Sequence, residues 1–125
     1  MNILDNLKYT KEHEWLKVDD DIAYIGITDF AQGELGDIVF VELPNPNESF
    51  NQNDIFGTIE AVKTLADLYI PVSGEILEVN NKLDNEPELI NSDPYGEGWI
   101  VKIKISDISE IDSLLSKGDY GDLIS

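Results

Sequence analysis

The sequence contains no cysteine and no arginine, and it has one histidine and one methionine among 125 residues. Without cysteine, disulfides, thiolate catalysis and cysteine metal sites are excluded. The eight cations are all lysines and stand against 26 acidic residues, which gives a net charge of -18. Because nucleic-acid phosphates would be repelled and no guanidinium is present to bind them, nucleic acid is excluded as a partner.

Long hydrophobic runs are missing as well. No apolar run approaches the roughly 20 residues that span a bilayer, and the start Met1–Asp5 lacks the basic and then apolar layout of a signal peptide. We therefore expect a cytoplasmic protein with no membrane partner. With 42% hydrophobic residues, the chain is predicted to fold as a single domain over 1–125. Its strong self-repulsion favours a monomer.

The lone imidazole, His13, has no serine, cysteine or metal-binding cluster placed to work with it. A general-base role would need such a partner. Scattered carboxylates without a glycine-punctuated loop do not predict a calcium site either. We expect His13 to have a hydrogen-bonded packing role, and we expect neither catalytic nor metal-binding residues.

Short strand patterns are what the chain has in abundance. Apolar and β-branched segments bounded by turn residues predict strands at 14–18, 22–27, 38–43, 74–80 and 98–104, and on both sides of Lys63. Thr28 is placed to cap a short helix near 29–35. Asp107, with Glu110 as its capping-box partner, predicts a C-terminal helix near 108–117. A mainly β fold is expected.

A faint internal repeat accompanies these strands. Gly36-Asp37-Ile38 resembles Gly74-Glu75-Ile76, and Gly57-Thr58-Ile59 resembles Gly98-Trp99-Ile100. In each case a glycine opens a strand. The pattern predicts two halves related by a rough two-fold, in a flattened barrel or sandwich of short antiparallel strands.

Lys63 interrupts the strand pattern in the run from Phe56 to Tyr69. Apolar or β-branched stretches flank it, and glycine, asparagine and proline are absent from the bend itself. A lysine presented at the tip of a hairpin explains such a break. A primary amine on a four-carbon stem can form an amide with a carboxylate cofactor, which predicts a carrier protein.

Several short motifs, in order along the chain, carry a family resemblance. They are Lys8-Tyr9-Thr10, His13-Glu14-Trp15, Gly26–Gln32, Leu35–Pro44, Pro71–Glu75, Leu89-Ile90-Asn91 and Pro94–Trp99. The segment from Gly57 through Asn80 looks like a lipoyl attachment region. Nearly the whole chain, from Leu7 to Leu115, resembles the H protein family of the glycine cleavage system.

The resemblance implies a lipoyl-domain-like barrel-sandwich hybrid with lipoate in amide linkage on Lys63. It implies a non-catalytic carrier that shuttles the aminomethyl group of glycine. The partners would be the pyridoxal phosphate-dependent glycine decarboxylase (P protein), the tetrahydrofolate-dependent aminomethyltransferase (T protein) and the dihydrolipoyl dehydrogenase (L protein) that reoxidises the carrier. A lipoyl ligase or transferase would load it.

Four further residues match functional positions of that family. Glu60, three residues before the lysine, and Gly74, eleven after it, match positions that lipoyl ligases recognise. Glu14 and Asp67 match carboxylates that border the cleft in which the loaded arm can rest. Such carboxylates would hold a cationic amine through charge-assisted hydrogen bonds.

Other functions stay open at this stage. The chain could be a lipoyl or biotinyl domain of another multienzyme complex, although the methionines expected beside a biotinylated lysine are absent, since the single methionine is Met1. It could also relay lipoate to other complexes. In a third alternative it is an unmodified acidic adaptor, and Lys63 is only an exposed turn residue.

Overall fold

The computed structural model describes residues 3–125. Within them, nine strands and three α-helices form, joined by two 3₁₀ helices, Asn81–Asp84 and Ile108–Ser113. The strands are β1 (Lys8–Tyr9), β2 (Glu14–Asp19), β3 (Ile22–Ile27), β4 (Ile38–Glu42), β5 (Ser49–Phe50), β6 (Ile55–Ala61), β7 (Leu65–Tyr69), β8 (Gly74–Val79) and β9 (Val101–Ile105). The α-helices are α1 (Asp29–Leu35), α2 (Leu89–Ser92) and α3 (Lys117–Ile124).

Two open antiparallel sheets enclose the main core. One has six strands in the order β1-β2-β3-β9-β8-β5, and the other has three in the order β4-β6-β7. Alternate residues of their strands are buried, as in Ile59, Ile76 and Ile103, because successive side chains of a strand point to opposite faces. The predicted mainly β sandwich of short antiparallel strands is confirmed.

The internal repeat is visible in the strand register. The pairs are Ile38–Ala61 and Val41–Ile59 in β4 and β6, and Ile76–Ile103 and Val79–Val101 in β8 and β9. Both pairings carry a bulge at the same place, which leaves Val39 and Leu77 as the extra residues. The shift between repeats is 38 positions from Ile38 to Ile76 and 42 from Ala61 to Ile103. The predicted match of Gly57-Thr58-Ile59 to Gly98-Trp99-Ile100 is therefore one residue out of register.

The predicted short helix near 29–35 is confirmed as α1. The Thr28 hydroxyl accepts a hydrogen bond from the Ala31 N–H (3.2 Å), which satisfies one of the free donors of the first turn. Gly36 ends the helix with a φ of 78°, a conformation that glycine adopts without steric cost.

The C-terminal segment differs from the prediction. The single helix expected near 108–117 is instead the 3₁₀ helix Ile108–Ser113, an extended stretch in which Leu115 bridges to Tyr9, and then α3. Asp107 does cap the 3₁₀ helix. The Glu110 carboxylate is not its capping-box partner, because it accepts hydrogen bonds from the N–H and hydroxyl of a single distant residue.

That residue is Ser73, which lies between β7 and β8. Its N–H donates to Glu110 Oε1 (2.6 Å) and its hydroxyl to Glu110 Oε2 (3.0 Å). Two donors from a distant loop therefore occupy the carboxylate that the local pattern assigned to the helix N-terminus. This pairing fastens the C-terminal segment across the β7–β8 connection.

Tyr120 anchors α3 to the sheet. Its ring is fully buried and stacks on Tyr9 with ring centroids 4.7 Å apart. Its hydroxyl lies 2.8 Å from His13 Nδ1 and 2.7 Å from Thr28 Oγ1. The hydrogen-bonded packing role expected for His13 is confirmed. The C-terminal helix is thus held by one aromatic stack and a small buried polar cluster.

Replacing Tyr120 with phenylalanine is expected to lower the free energy of unfolding by about 1–2 kcal/mol, because the Thr28 hydroxyl and the His13 ring each lose a buried partner. Chemical denaturation monitored by circular dichroism measures the loss. Tyr24→Phe is the matched control, since the Tyr24 ring is only half-buried, and we expect a change below about 0.5 kcal/mol. Equal losses in both variants would contradict the role given to the cluster.

Candidate functional site

The tip of the β6–β7 hairpin is a three-residue bend, Val62, Lys63 and Thr64. The Ala61 N–H donates to the Thr64 carbonyl oxygen (2.8 Å) and closes the bend. The Val62 N–H donates to the carbonyl oxygen of Asp37 (3.0 Å), in the turn before β4. The bend therefore needs no glycine or proline, because its backbone is held by hydrogen bonds within and outside the hairpin.

Lys63 is exposed at this tip, in the hairpin position that the sequence predicts. Within residues 3–125, its Nζ makes no hydrogen bond or ion pair. A solvated primary amine without a partner is sterically available for acylation. The geometry fits amide attachment of a carboxylate cofactor, and the role of Lys63 as attachment residue stays a prediction.

Glu60 lies on the exposed face of β6, opposite Phe40 on one side and Leu65 on the other. It is three residues before Lys63, so the hairpin brings the two together at one end of the sheet. Phe40 and Leu65 are themselves exposed. Glu60 is thus a carboxylate flanked by two solvent-facing apolar side chains.

Gly74 opens β8 in the other sheet, so the structure does not place it in the Lys63 hairpin. It pairs with Phe50 and Ile105 and is buried. A Cβ at this position would stand 2.5 Å from the Lys104 carbonyl oxygen. The absence of a side chain is therefore required for the close approach of β8 and β9.

Glu14 is a buried carboxyl group at the start of β2, with 1% of its surface exposed. Its Oε1 accepts from the Thr10 hydroxyl (2.6 Å) and its Oε2 from the Tyr69 N–H (3.3 Å). Burial raises the pKa of Glu14 to about 8, and the hydrogen bonds from Thr10 and Tyr69 only partly offset that effect. Burial therefore favours the protonated, neutral form of this carboxyl group.

Glu14 also lines a surface cavity of about 500 Å³. The other lining residues are Tyr9, Thr10, Lys11, Glu12, Gln52, Asn53, Tyr69, Ser113, Leu114 and Leu115. The cavity lies between the free edge of β7 and the C-terminal segment, so Ser113 to Leu115 form one of its walls. The Gln52 side-chain amide joins the two sides by donating to Ser113 Oγ (3.0 Å).

Asp67 does not line this cavity. It lies on the exposed face of β7, between Lys63 and Tyr69 along the chain and opposite Thr58. The structure therefore places Glu14 of β2 in the cavity wall, at the edge of β7. Asp67 is part of β7 itself but lies outside the cavity. Whether either carboxylate contacts a carried group stays a prediction.

Sequence reasoning missed Thr10 and Tyr69, the two residues that hold the Glu14 carboxyl group. Thr10 could have been found from the sequence. It ends the Lys8-Tyr9-Thr10 motif and stands four residues before Glu14. The contribution of Tyr69 is a backbone N–H at a sheet edge, which has no signature in the sequence.

Within residues 3–125, no group of three or more His, Asp or Glu side chains is placed to hold a metal ion. In the same part of the chain, no helix has the length and apolar character that a bilayer crossing requires. The described part of the chain is thus an open antiparallel β-sandwich with an exposed lysine at a hairpin tip and a separate cavity lined by a buried carboxyl group.

These features define a lipoyl-domain-like protein. The family model described as "Glycine cleavage H-protein" matches residues 7–125. The chain belongs to the glycine cleavage H-protein family. Membership of this family supports a lipoyl-carrier role in glycine cleavage and interaction with the other components of that system.

Individual relatives agree with the family match. The chain is 56% identical to the glycine cleavage system H protein of Bacteroides thetaiotaomicron, over 96% of this chain and 95% of the relative. It is 55% identical to that of Symbiobacterium thermophilum, over 95% and 93%. The crystal structure of a glycine cleavage system H protein from Mycobacterium marinum matches with a TM-score of 0.89 and 36% identity, covering 96% of this chain and 97% of that one.

The raised pKa of Glu14 predicts a pH-dependent stability. The folded chain keeps a proton that the unfolded chain has lost between the ordinary value of 4.5 and about 8. This contribution to stability is therefore full below about pH 4.5 and is lost as the pH rises to about 8, at up to about 1.4 kcal/mol per pH unit. Glu14→Gln, which cannot ionise, is expected to remove that decline.

Denaturant titrations between about pH 5 and 8 measure the effect as the difference in slope between wild type and variant. Glu86→Gln is the control, because Glu86 is exposed, and its slope should match that of the wild type. A Glu14→Gln slope equal to the wild-type slope would show that the Glu14 carboxyl group ionises freely in the folded state.

Proposed function

We propose that this chain carries lipoate in amide linkage on Lys63 and works as the mobile carrier of glycine cleavage. The single observation that carries the proposal is the exposed, unpartnered Lys63 amine at a hydrogen-bonded hairpin tip in a chain of the H-protein family. When bound, lipoate supplies a disulfide sulfur on a long flexible stem. The chain itself supplies a fixed base for that stem and no reactive nucleophile.

In the proposed cycle, the chain takes up the aminomethyl group of glycine at the pyridoxal phosphate-dependent glycine decarboxylase (P protein). It delivers the group to the tetrahydrofolate-dependent aminomethyltransferase (T protein), and the dihydrolipoyl dehydrogenase (L protein) then reoxidises the carrier. Tethering to Lys63 keeps the carried carbon at high effective concentration near each enzyme. The chain acts as a non-catalytic carrier subunit, because the chemistry belongs to the partners and the cofactor.

Glu14 is the residue that fits a cationic cargo. Its carboxyl group is 1% exposed, lines the cavity and is held by two neutral donors, the Thr10 hydroxyl and the Tyr69 N–H. A protonated amine entering the cavity would favour the ionised carboxylate and form a charge-assisted hydrogen bond. Asp67 lies between Lys63 and Tyr69 along β7, on the path back towards the cavity, where it would guide the same charge.

In the attachment of lipoate by a ligase, Glu60 and Gly74 would have different roles. The Glu60 carboxylate is exposed beside the tip and is available to anchor a lipoyl ligase. Gly74 would act indirectly, because it allows β8 to approach β9 and so sets the shape of the surface that a ligase meets. We further propose that the chain acts as one domain over 1–125 and as a monomer in the cytoplasm, where net charge of -18 opposes self-association.

Intact-mass measurement of the protein purified from cells supplied with lipoate tests the proposal. We expect an increase equal to one lipoyl group, which Lys63→Arg abolishes. Lys17→Arg, at another exposed lysine, is the matched control and should keep the increase. Lys63→Arg should change the free energy of unfolding by no more than about 0.5 kcal/mol, since the tip side chain is exposed.

Three other outcomes would contradict the proposal. A biotin increment would indicate a carrier of another complex, and an unmodified chain in cells with active lipoylation would favour the acidic adaptor. A large loss of stability in Lys63→Arg would mean that the lysine has a structural role.

Glu14→Gln tests the cleft separately. The variant keeps an acceptor for the Thr10 hydroxyl or the Tyr69 N–H and loses the negative charge. In a chain loaded with the aminomethyl group, loss of the carried carbon to water is expected to rise by about tenfold or more, as for a lost charged hydrogen bond. Formaldehyde release measures it, with Glu86→Gln as control. Unchanged release would remove Glu14 from the proposed cleft.

A further inference from the structure

The outward-facing side of the three-stranded sheet carries two cross-strand rows of side chains. Phe40, Glu60 and Leu65 are aligned in one row across β4, β6 and β7, and Glu42, Thr58 and Asp67 form the next row. These six residues are called the outer face below. The opposite side of the same strands is buried, as in Val41, Ile59 and Leu68, so the six side chains share one surface.

Large apolar side chains are exposed on and beside the outer face. Phe40 is 54% exposed, Leu65 is 64% exposed, and Val62 at the hairpin tip is 71% exposed. Within residues 3–125, no element covers them. Large exposed apolar side chains set among polar ones are typical of protein interaction sites.

The charge of the outer face is of one sign. Glu42, Glu60 and Asp67 contribute three carboxylates, and no lysine belongs to either row. The lysine beside it is Lys63, whose charge is lost when the amine is acylated. A complementary surface would therefore present an apolar depression surrounded by lysine or arginine side chains.

The reach of Lys63 limits which partner can use this face. The amine is five bonds from its Cα, roughly 6 Å away, and the outer face extends about 10 Å across the strands and about 7 Å along them. An enzyme that acylates the bare amine must bring its active site to the hairpin tip. Where its surface surrounds that active site on the solvent side of the hairpin, it meets the outer face. Enzymes that act on the end of an attached arm have no such constraint.

We propose that the outer face is the docking surface for the enzyme that acylates Lys63, with Phe40 and Leu65 as apolar anchors on either side of Glu60 and with Glu42 and Asp67 as the charged rim. The inference rests on the proposed function, because it presupposes acylation at Lys63. It adds a binding site for the loading enzyme on β4 and β7, away from the lysine itself. Apolar anchors near the centre of an interface contribute most of its affinity, and rim charges mainly set the association rate.

The test uses the full chain as substrate for a lipoate–protein ligase with lipoate and ATP, and measures initial rates against chain concentration. Phe40→Ser and Leu65→Ser are each expected to raise KM by about tenfold or more, as for interface anchors, with kcat changed less than about twofold. Ile108→Ser is the matched control, since Ile108 is 51% exposed and lies in the C-terminal 3₁₀ helix. Its KM should stay within about twofold of the wild type.

The charged rim is tested by ionic strength. For the wild type, kcat/KM is expected to fall as salt is added. Glu42→Gln should flatten that dependence, while Glu86→Gln, away from the outer face, should leave it unchanged. All variants should keep a thermal midpoint within about 3 °C of the wild type, because the changed side chains are exposed.

The outcomes distinguish the inference from the proposed function. If the wild type accepts lipoate on Lys63 and the Phe40 and Leu65 variants keep the wild-type KM, the docking surface is wrong and the carrier function stands. If the wild type accepts no lipoate at Lys63, the proposed function itself fails. A lower kcat with an unchanged KM would also overturn the inference, because it would place these side chains in the chemical step and not in docking.

Discussion

The hydrogen bond from the Val62 N–H to the Asp37 carbonyl oxygen is the constraint on which the presentation of Lys63 depends. A three-residue bend without glycine or proline would fray if its backbone were free. Here the bend is closed by the Ala61–Thr64 hydrogen bond and tied to the turn before β4. Burial of Ile59 below it contributes about 2 kcal/mol. The backbone of the bend is thus held while the Lys63 side chain extends into solvent.

Strand β7 connects the lysine to the cavity. It begins just after the hairpin tip, and its free edge receives the Glu14 carboxyl group through the Tyr69 N–H. An edge strand with open backbone groups is prone to unwanted pairing, and here Glu14 covers part of that edge. The same contact buries a carboxyl group beside a cavity and raises its pKa, and a cationic group that entered the cavity would shift it back towards the ionised form. Protection of the sheet edge and a polar group beside the cavity thus arise from one contact.

Local sequence patterns predicted the elements that depend on interactions between residues close in sequence. Helix α1 follows from the Thr28 cap, and the Lys63 hairpin follows from two apolar runs around a break. The C-terminal segment was predicted wrongly because Ser73 takes the Glu110 carboxylate, a contact 37 residues away in sequence. Glu14 could be singled out from its motif, but its burial depends on the tertiary approach of β7. The separation of Asp67 from the cavity likewise becomes visible only once the strand is placed.

The most direct test of the central claim is to determine which of the eight lysines carries the acyl group, by fragment-ion mass spectrometry of the lipoylated chain. An exposed amine at a hydrogen-bonded hairpin tip predicts that the whole modification lies on Lys63, with the other seven lysines bare. Modification spread over several exposed lysines, or placed on a different one, would contradict the account, because the hairpin tip would then have no special part in presenting the amine.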